Sequence, residues 1–295
     1  MTRKREGRVM KRLILISCFV AVAVLGCKEP TSVVLDREEN LLEVTALPPQ
    51  DPDVELSAID STAILPSDEN AFAGLLIVNK VTYDAGTRVD SFAFSKVFFA
   101  DRIRPVRRNQ RTIGFHGFNL GPILLNNSPM NRIPHIIRMK APQADTVAGF
   151  EYVKDLTTTY QSNQTYTWAA DSINATGASI VSPGELRVLA PVGGASLSRD
   201  QNLELLWRGE GNISIFISTY DPVLQRTRAL LHVRPRVNRG RAVLGVRLLR
   251  LLPPGRNFVF TFVLSNKRLE DVFRPYRGQV LLQASEVYNT LVTFP

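Results

Sequence analysis

Cysteine, histidine and long hydrophobic runs are scarce in this chain of 295 residues. It contains two cysteines and three histidines. No histidine has a second histidine, cysteine or carboxylate at the spacing that metal sites use, so we expect neither a metal centre nor a cofactor. The hydrophobic run Leu13 to Leu25 has thirteen residues, whereas a permanent membrane-spanning helix takes about 20. The sequence therefore disfavours a transmembrane anchor.

The same hydrophobic run has the order of parts that a secretion signal needs. Positively charged residues precede it, and a small residue, Gly26, follows it directly before Cys27. Starting at Met10 would give a compact signal with two charges before the hydrophobic run. We therefore expect residues 1–26 to be removed, and Met10 is the start that we favour.

The end of this signal, Val24-Leu25-Gly26-Cys27, resembles the lipobox of bacterial lipoproteins. In that family the signal is cut before the cysteine and the cysteine thiol carries lipid. The resemblance implies cleavage between Gly26 and Cys27 and attachment to a membrane through lipidated Cys27. Lys28 after the cysteine favours the outer membrane by the sorting rule of enteric lipoproteins. An ordinary secretion signal with an incidental cysteine is the alternative.

Negative charge is concentrated just after this signal. Residues 28–70 contain eleven Asp or Glu and two Lys or Arg, together with five prolines. Such a composition buries little surface and extends by self-repulsion. It predicts that residues 27–70 are a disordered acidic tether, in which Val33 to Leu35 or Leu41 to Leu47 could add a strand to the edge of a domain.

The rest of the chain shows short β-type runs between Gly, Pro and Asn clusters, with no sustained helical periodicity. These runs predict an all-β protein made of two tandem antiparallel β-sandwich domains. We place the first domain at residues 71–172, a linker at residues 173–182 and the second domain at residues 183–295. With both cysteines in the signal region, each domain must be stabilised by its hydrophobic core.

Two stretches of the second domain carry a resemblance to known folds. The segment Leu189 to Gly209, with a Pro-Val-Gly-Gly turn and Trp207 near the end of a strand, resembles the start of bacterial immunoglobulin-like domains. The segment Leu251 to Phe262 resembles the corner of fibronectin type III domains, although Phe258 stands where that family usually has tyrosine. The resemblance implies an Ig-like sandwich and no specific function.

Arginine clusters are the clearest candidates for binding. If Leu231 and Val233 point inward, Arg234 and Arg236 line the opposite face, where guanidinium groups could bind phosphates or carboxylates. The sequence indicates an anion-binding face for lipopolysaccharide, an acidic glycan or the chain's own acidic tether. A solvated sandwich face is the alternative, and export makes nucleic acid an improbable partner. The candidate residues are Arg104, Arg107, Arg108 and Arg111 in the first domain and Arg234, Arg236, Arg239 and Arg241 in the second.

Together these patterns predict a membrane-anchored lipoprotein of the cell envelope that is a binding or structural module and not an enzyme. The sequence contains none of the nucleophile or nucleotide-binding motifs G-x-S-x-G, P-loop and G-x-G-x-x-G. Two alternatives remain open: a hydrolase of envelope polysaccharide or peptide with a shallow site between the domains, and a subunit of an envelope assembly that contacts other envelope proteins.

Overall fold

Strands make up most of the described chain, as predicted for an all-β protein. The structure is a computed structural model that describes residues 42–47, 72–108, 110–137, 145–170, 178–221, 226–270 and 279–295. The predicted signal, with Gly26 and Cys27, lies outside the described residues. Among the described residues, no helix has the length and hydrophobicity needed to cross a bilayer.

The described residues form seventeen strands and one short helix, α1 (Val246–Leu249). In chain order the strands are β1 (Leu42–Ala46), β2 (Gly74–Asp84), β3 (Val89–Arg108), β4 (Arg111–Gly117), β5 (Ile123–Leu125), β6 (Ser128–Pro129), β7 (Asn131–Ile137), β8 (Thr146–Asp155), β9 (Thr165–Ala170), β10 (Ala178–Val181), β11 (Arg187–Ala190), β12 (Leu203–Arg208), β13 (Asn212–Asp221), β14 (Arg226–Pro235), β15 (Arg241–Leu244), β16 (Arg256–Glu270) and β17 (Val280–Phe294).

Among the described residues, these strands form three sheets. The ten-stranded sheet has the order β1-β14-β13-β16-β17-β2-β3-β4-β8-β7, with β3 also paired to β8. A four-stranded sheet has the order β10-β9-β5-β6, and a three-stranded sheet has the order β11-β12-β15. Most residues of β2 and β17 are buried, as their central positions in the sheet require.

The central pair β2 and β17 departs from the purely antiparallel arrangement that the sequence predicted. These strands pair in parallel over their whole contact, from Gly74 opposite Val280 to Asp84 opposite Thr290. Most of the chain lies between them, and parallel neighbours need such a long connection. Because β2 belongs to the first predicted domain and β17 to the second, one sheet contains strands from both. The division into two tandem domains stays a prediction.

Two short segments that were predicted to lie in connections form strands. One lies in the predicted linker between the domains, and the other lies in the predicted tether. Ala178–Val181, in the predicted linker, pairs as β10 with β9, so these residues belong to the four-stranded sheet. Leu42–Ala46, in the predicted tether, pairs as β1 with β14 and is one edge of the ten-stranded sheet. Of the two runs that could add a strand to an edge, Leu41 to Leu47 does so, and Val44 enters the core beside Val233. The other run, Val33 to Leu35, lies outside the described residues.

Two hydrophobic cores lie on the same face of the ten-stranded sheet. One core contains Leu282 of β17 and Trp168 of the four-stranded sheet. The other contains Phe294 of β17 and Trp207 of the three-stranded sheet. Leu282 and Phe294 are twelve positions apart in β17, and residues an even number of positions apart in a strand point to one face. The two smaller sheets therefore cover adjacent parts of that face.

Glu286 occupies this same face of β17 between the two cores. Its side chain is almost fully buried. The Ser162 hydroxyl donates to Oε1 at 2.5 Å, and the backbone N–H of Leu186 donates to Oε2 at 2.7 Å. Lys80 Nζ lies 3.9 Å from Oε1. One carboxylate thus joins β17 and β2 to two loops that lead to different small sheets.

Candidate anion-binding surface

The first predicted basic cluster lies on the hairpin of β3 and β4. The two strands pair as far as Arg108 opposite Arg111, which places the predicted arginines near the hairpin tip. The register shifts just before Pro105, because proline cannot donate a ladder hydrogen bond. The side chains of Arg104 and Arg107 are exposed. For Arg108 and Arg111 only the backbone positions are described.

The second predicted cluster lies on β14 and the turn after it. Leu231 and Val233 are buried, whereas Arg234 and Arg236 are exposed. This confirms the alternation that the sequence predicted for β14. Arg239 is also exposed, in the turn that follows.

Acidic residues face part of this second cluster. Glu43 of β1 lies directly opposite Arg234 in the strand register, and directly opposed residues share a face of the sheet. Arg241 Nε lies 2.5 Å from Oε1 of Glu204, its neighbour across the pair β12–β15. The second cluster therefore already has acidic neighbours from the chain itself, one of them from the predicted tether.

His232 lies beside this cluster on β14. Its ring stacks on the Phe216 ring at a centroid distance of 4.3 Å, and among the described residues no group hydrogen-bonds its buried Nε2. Burial, together with the positive charges of Arg234 and Lys267, lowers the pKa of His232 to about 4. The imidazole is therefore neutral at physiological pH.

This buried neutral histidine predicts a loss of stability in mild acid. Unfolded His232 titrates near its ordinary pKa of 6.5 and folded His232 near 4, so the unfolded state binds the proton more readily in between. The stabilisation is complete above 6.5 and is lost as the pH falls toward 4. We expect the free energy of unfolding to drop by about 2 kcal/mol between roughly pH 7 and 5. Urea titrations of the His232→Gln variant, which cannot titrate here, should show a flatter pH dependence; an equal slope would contradict the assignment.

A second histidine takes part in an ion-pair network that the sequence did not reveal. His135 Nδ1 lies 2.8 Å and Lys96 Nζ 3.3 Å from Oε2 of Glu151, and the Phe98 ring packs against the imidazole. Burial raises the pKa of Glu151, but hydrogen bonds and charges from His135 and Lys96 outweigh it and hold that pKa below its usual range. Strand register joins these distant residues, and they fix β3, β8 and β7 to one another.

The basic hairpin belongs to a longer stretch that has no acidic residue. Residues 102–144 contain eight Lys or Arg and no Asp or Glu. The described part of this stretch includes the far half of β3, the strand β4 and the edge strand β7. These strands lie together near one end of the ten-stranded sheet. We call the surface formed by β3 from Arg102 onward, β4 and the pair β7–β8 the basic end.

Exposed hydrophobic side chains lie within this basic end. Ile136 is 48%, Val147 63% and Phe150 37% exposed. The guanidinium of Arg132 lies over the Phe150 ring, 4.9 Å from its centroid. The sequence interpretation missed Arg132 and these three side chains, although the absence of acids over residues 102–144 could have drawn attention to the stretch.

Among the described residues, no three side chains of His, Cys, Asp or Glu lie close enough to hold a metal ion.

The fold class defined by the three sheets is an all-β protein that matches a β-sandwich. No protein-family model matches the chain, and no curated protein matches its sequence. Among solved structures, the chain has a weak similarity to the yeast delta-COP-I mu-homology domain complexed with a Dsl1 WxWxV peptide. That match has 10% identity and a TM-score of 0.20 over 75% of this chain and 98% of the other. A TM-score of 0.20 does not indicate a shared fold.

Proposed function

We propose that this protein is a lipid-anchored lipoprotein of the bacterial cell envelope, at the outer membrane, and that it is a non-enzymatic module that binds an anionic ligand. The observation that carries the proposal is the basic end, where Arg102, Arg104, Arg107 and Arg132 are exposed. The sequence stretch that contains them, residues 102–144, has eight Lys or Arg and no acidic residue. Exposed guanidinium groups bind phosphate, sulfate and carboxylate groups in bidentate fashion. A surface with charge of one sign also raises the local concentration of anions.

The two arginine clusters differ in their acidic neighbours, and this difference favours the basic end. Arg234 faces Glu43, and Arg241 contacts Glu204. Arg104 and Arg107 belong to a stretch without acids. A ligand at the second cluster would have to compete for arginines that already have carboxylates of the chain as neighbours. At the basic end, the mostly buried carboxylate of Glu151 on β8 is already paired with Lys96 and His135.

The test compares the two clusters by charge reversal in the chain from Ser32 onward, which forms one compact unit. We expect Arg104→Glu/Arg107→Glu to weaken binding of dextran sulfate by at least tenfold at low salt, since each basic residue near an anionic surface contributes about 1 kcal/mol. The matched control Arg236→Glu/Arg239→Glu changes the net charge equally and should have a much smaller effect. Equal losses, or binding that does not respond to salt, would refute the basic end as the site.

The lipid anchor has a separate test. Two or three acyl chains make membrane attachment effectively permanent, because each buried CH₂ contributes about 0.8 kcal/mol. We therefore expect Cys27→Ala to abolish acyl labelling and signal cleavage. Cys18→Ala is the matched control, since that residue lies within the signal and should leave labelling unchanged. A Cys27→Ala protein that is still acylated would exclude the lipobox assignment.

A further inference from the structure

The exposed hydrophobic residues of β7 and β8 form one strip on one face. Ile136 lies directly opposite Val147, and Pro134 lies directly opposite Phe150. Directly opposed residues share a face, as do Pro134 and Ile136, which are two residues apart in one strand. The register shift between these two pairs places two residues of β8 against one of β7. This bulge brings Val147 and Phe150 to the same side although they are three positions apart in the strand.

A positively charged side chain, that of Arg132, lies at the end of this strip. Arg132 lies over the Phe150 ring, and its Nη1 donates to Oδ1 of Asn119 at 3.1 Å. The side chain nevertheless remains exposed. On the neighbouring hairpin, Ile103 is 89% exposed between Arg102 and Arg104. Exposed hydrophobic side chains therefore lie next to arginines on both ribbons of the basic end.

We infer that the basic end is a contact surface for an anionic lipid membrane. The inference rests on the proposed function and names the ligand of the same site. A soluble polyanion needs the arginines alone and does not explain why Ile136, Val147 and Phe150 face solvent. A lipid surface uses both, because hydrophobic side chains enter the boundary between headgroups and acyl chains while arginines contact anionic headgroups.

Vesicle binding tests the inference in the unacylated chain from Ser32 onward. We expect flotation with mixed phosphatidylcholine–phosphatidylglycerol vesicles and none with phosphatidylcholine alone. Ile136→Ser/Val147→Ser should lower partitioning onto the mixed vesicles by roughly tenfold and leave dextran sulfate binding unchanged. The matched control is Val237→Ser/Leu251→Ser, since both residues are exposed and each follows an arginine in the sequence, Arg236 of the second cluster and Arg250. It should leave both kinds of binding unchanged.

The outcomes separate the inference from the proposed function. Binding of dextran sulfate without binding of anionic vesicles overturns the inference and leaves the anion-binding module standing. An Ile136→Ser/Val147→Ser variant that binds vesicles as the unchanged chain does also overturns it. The inference is supported if Arg104→Glu/Arg107→Glu loses both kinds of binding and Ile136→Ser/Val147→Ser, the strip variant, loses vesicle binding alone. Absence of both kinds of binding in the unchanged chain overturns the inference and the proposed function together.

Discussion

Replacing Glu286 with leucine is expected to lower the free energy of unfolding by about 3–5 kcal/mol. The substitution leaves the Leu186 N–H and the Ser162 hydroxyl without their acceptor in a buried site. It also leaves Lys80 without the carboxylate 3.9 Å away. An unsatisfied buried donor costs about 1–3 kcal/mol by itself. Urea titration should show a lower midpoint with an unchanged slope if the native fold persists.

Two comparisons keep this prediction testable. Glu286→Gln retains one carbonyl oxygen but turns an NH₂ group toward one of the two donors, so we expect a smaller loss, about 1–3 kcal/mol. Glu185→Gln is the matched control, because Glu185 pairs with Arg187 at an exposed position and exposed pairs contribute about 0–1 kcal/mol. If Glu286→Leu and Glu185→Gln cost the same, Glu286 does not join the two loops to the central strands.

Substitution of Gly149 with alanine should also strongly destabilise the protein. Gly149 has a φ of +79°, and an added Cβ would lie 2.3 Å from the backbone oxygen of Gly117. The left-handed conformation alone costs a residue with a Cβ about 1–2 kcal/mol, and the collision with backbone adds to it. We expect a total loss of about 2–4 kcal/mol, measured by urea unfolding.

Gly121 supplies the control for this prediction. It has a φ of +76°, but nothing lies within 4 Å of the Cβ that alanine would add. Gly121→Ala should therefore cost about 1 kcal/mol, from conformation alone. The difference between the two variants measures the close approach of β8 to β4. Equal costs would mean that this approach does not constrain the chain.

Gly149 also bears on function, because it lies in the bulge that brings Val147 and Phe150 to one face. If Gly149→Ala still folds, we expect weaker binding to anionic vesicles, with little change in dextran sulfate binding. This pattern would be the same as that of the strip variant, for a reason that lies in the backbone rather than in the side chains.

Local patterns were sufficient for several features of this protein. Strand alternation in β14 predicted that Leu231 and Val233 are buried and that Arg234 is exposed, because side chains of a strand point alternately to its two faces. The hydrophobic run Leu41 to Leu47 predicted an edge strand within an acidic segment. The lipobox resemblance at Cys27 stays a prediction, since that residue lies outside the described part of the chain.

The strip and the network around Glu151 could not be read from local patterns. The network joins three strands, since His135 lies on β7, Glu151 on β8 and Lys96 on β3. Only the register of these strands brings the nitrogen atoms of His135 and Lys96 within 3.3 Å of Oε2 of Glu151. A bulge reverses the alternation in β8, so simple periodicity would place Val147 and Phe150 on opposite faces. Side-chain direction after a bulge depends on the partner strand, which local sequence does not specify.

The amino-acid sequence by itself determined the all-β class, the acidic segment before the folded part and the concentration of arginine in two clusters. Composition and short-range alternation act within a few residues, so these features need no knowledge of distant contacts. The tertiary structure decided the parallel pairing of β2 with β17, the burial of Glu286 between two cores and the union of arginines with exposed hydrophobic residues at the basic end. Each of these features depends on contacts between segments that are far apart in the chain. Such contacts form, and contribute to the free energy of folding, only when the sheets assemble.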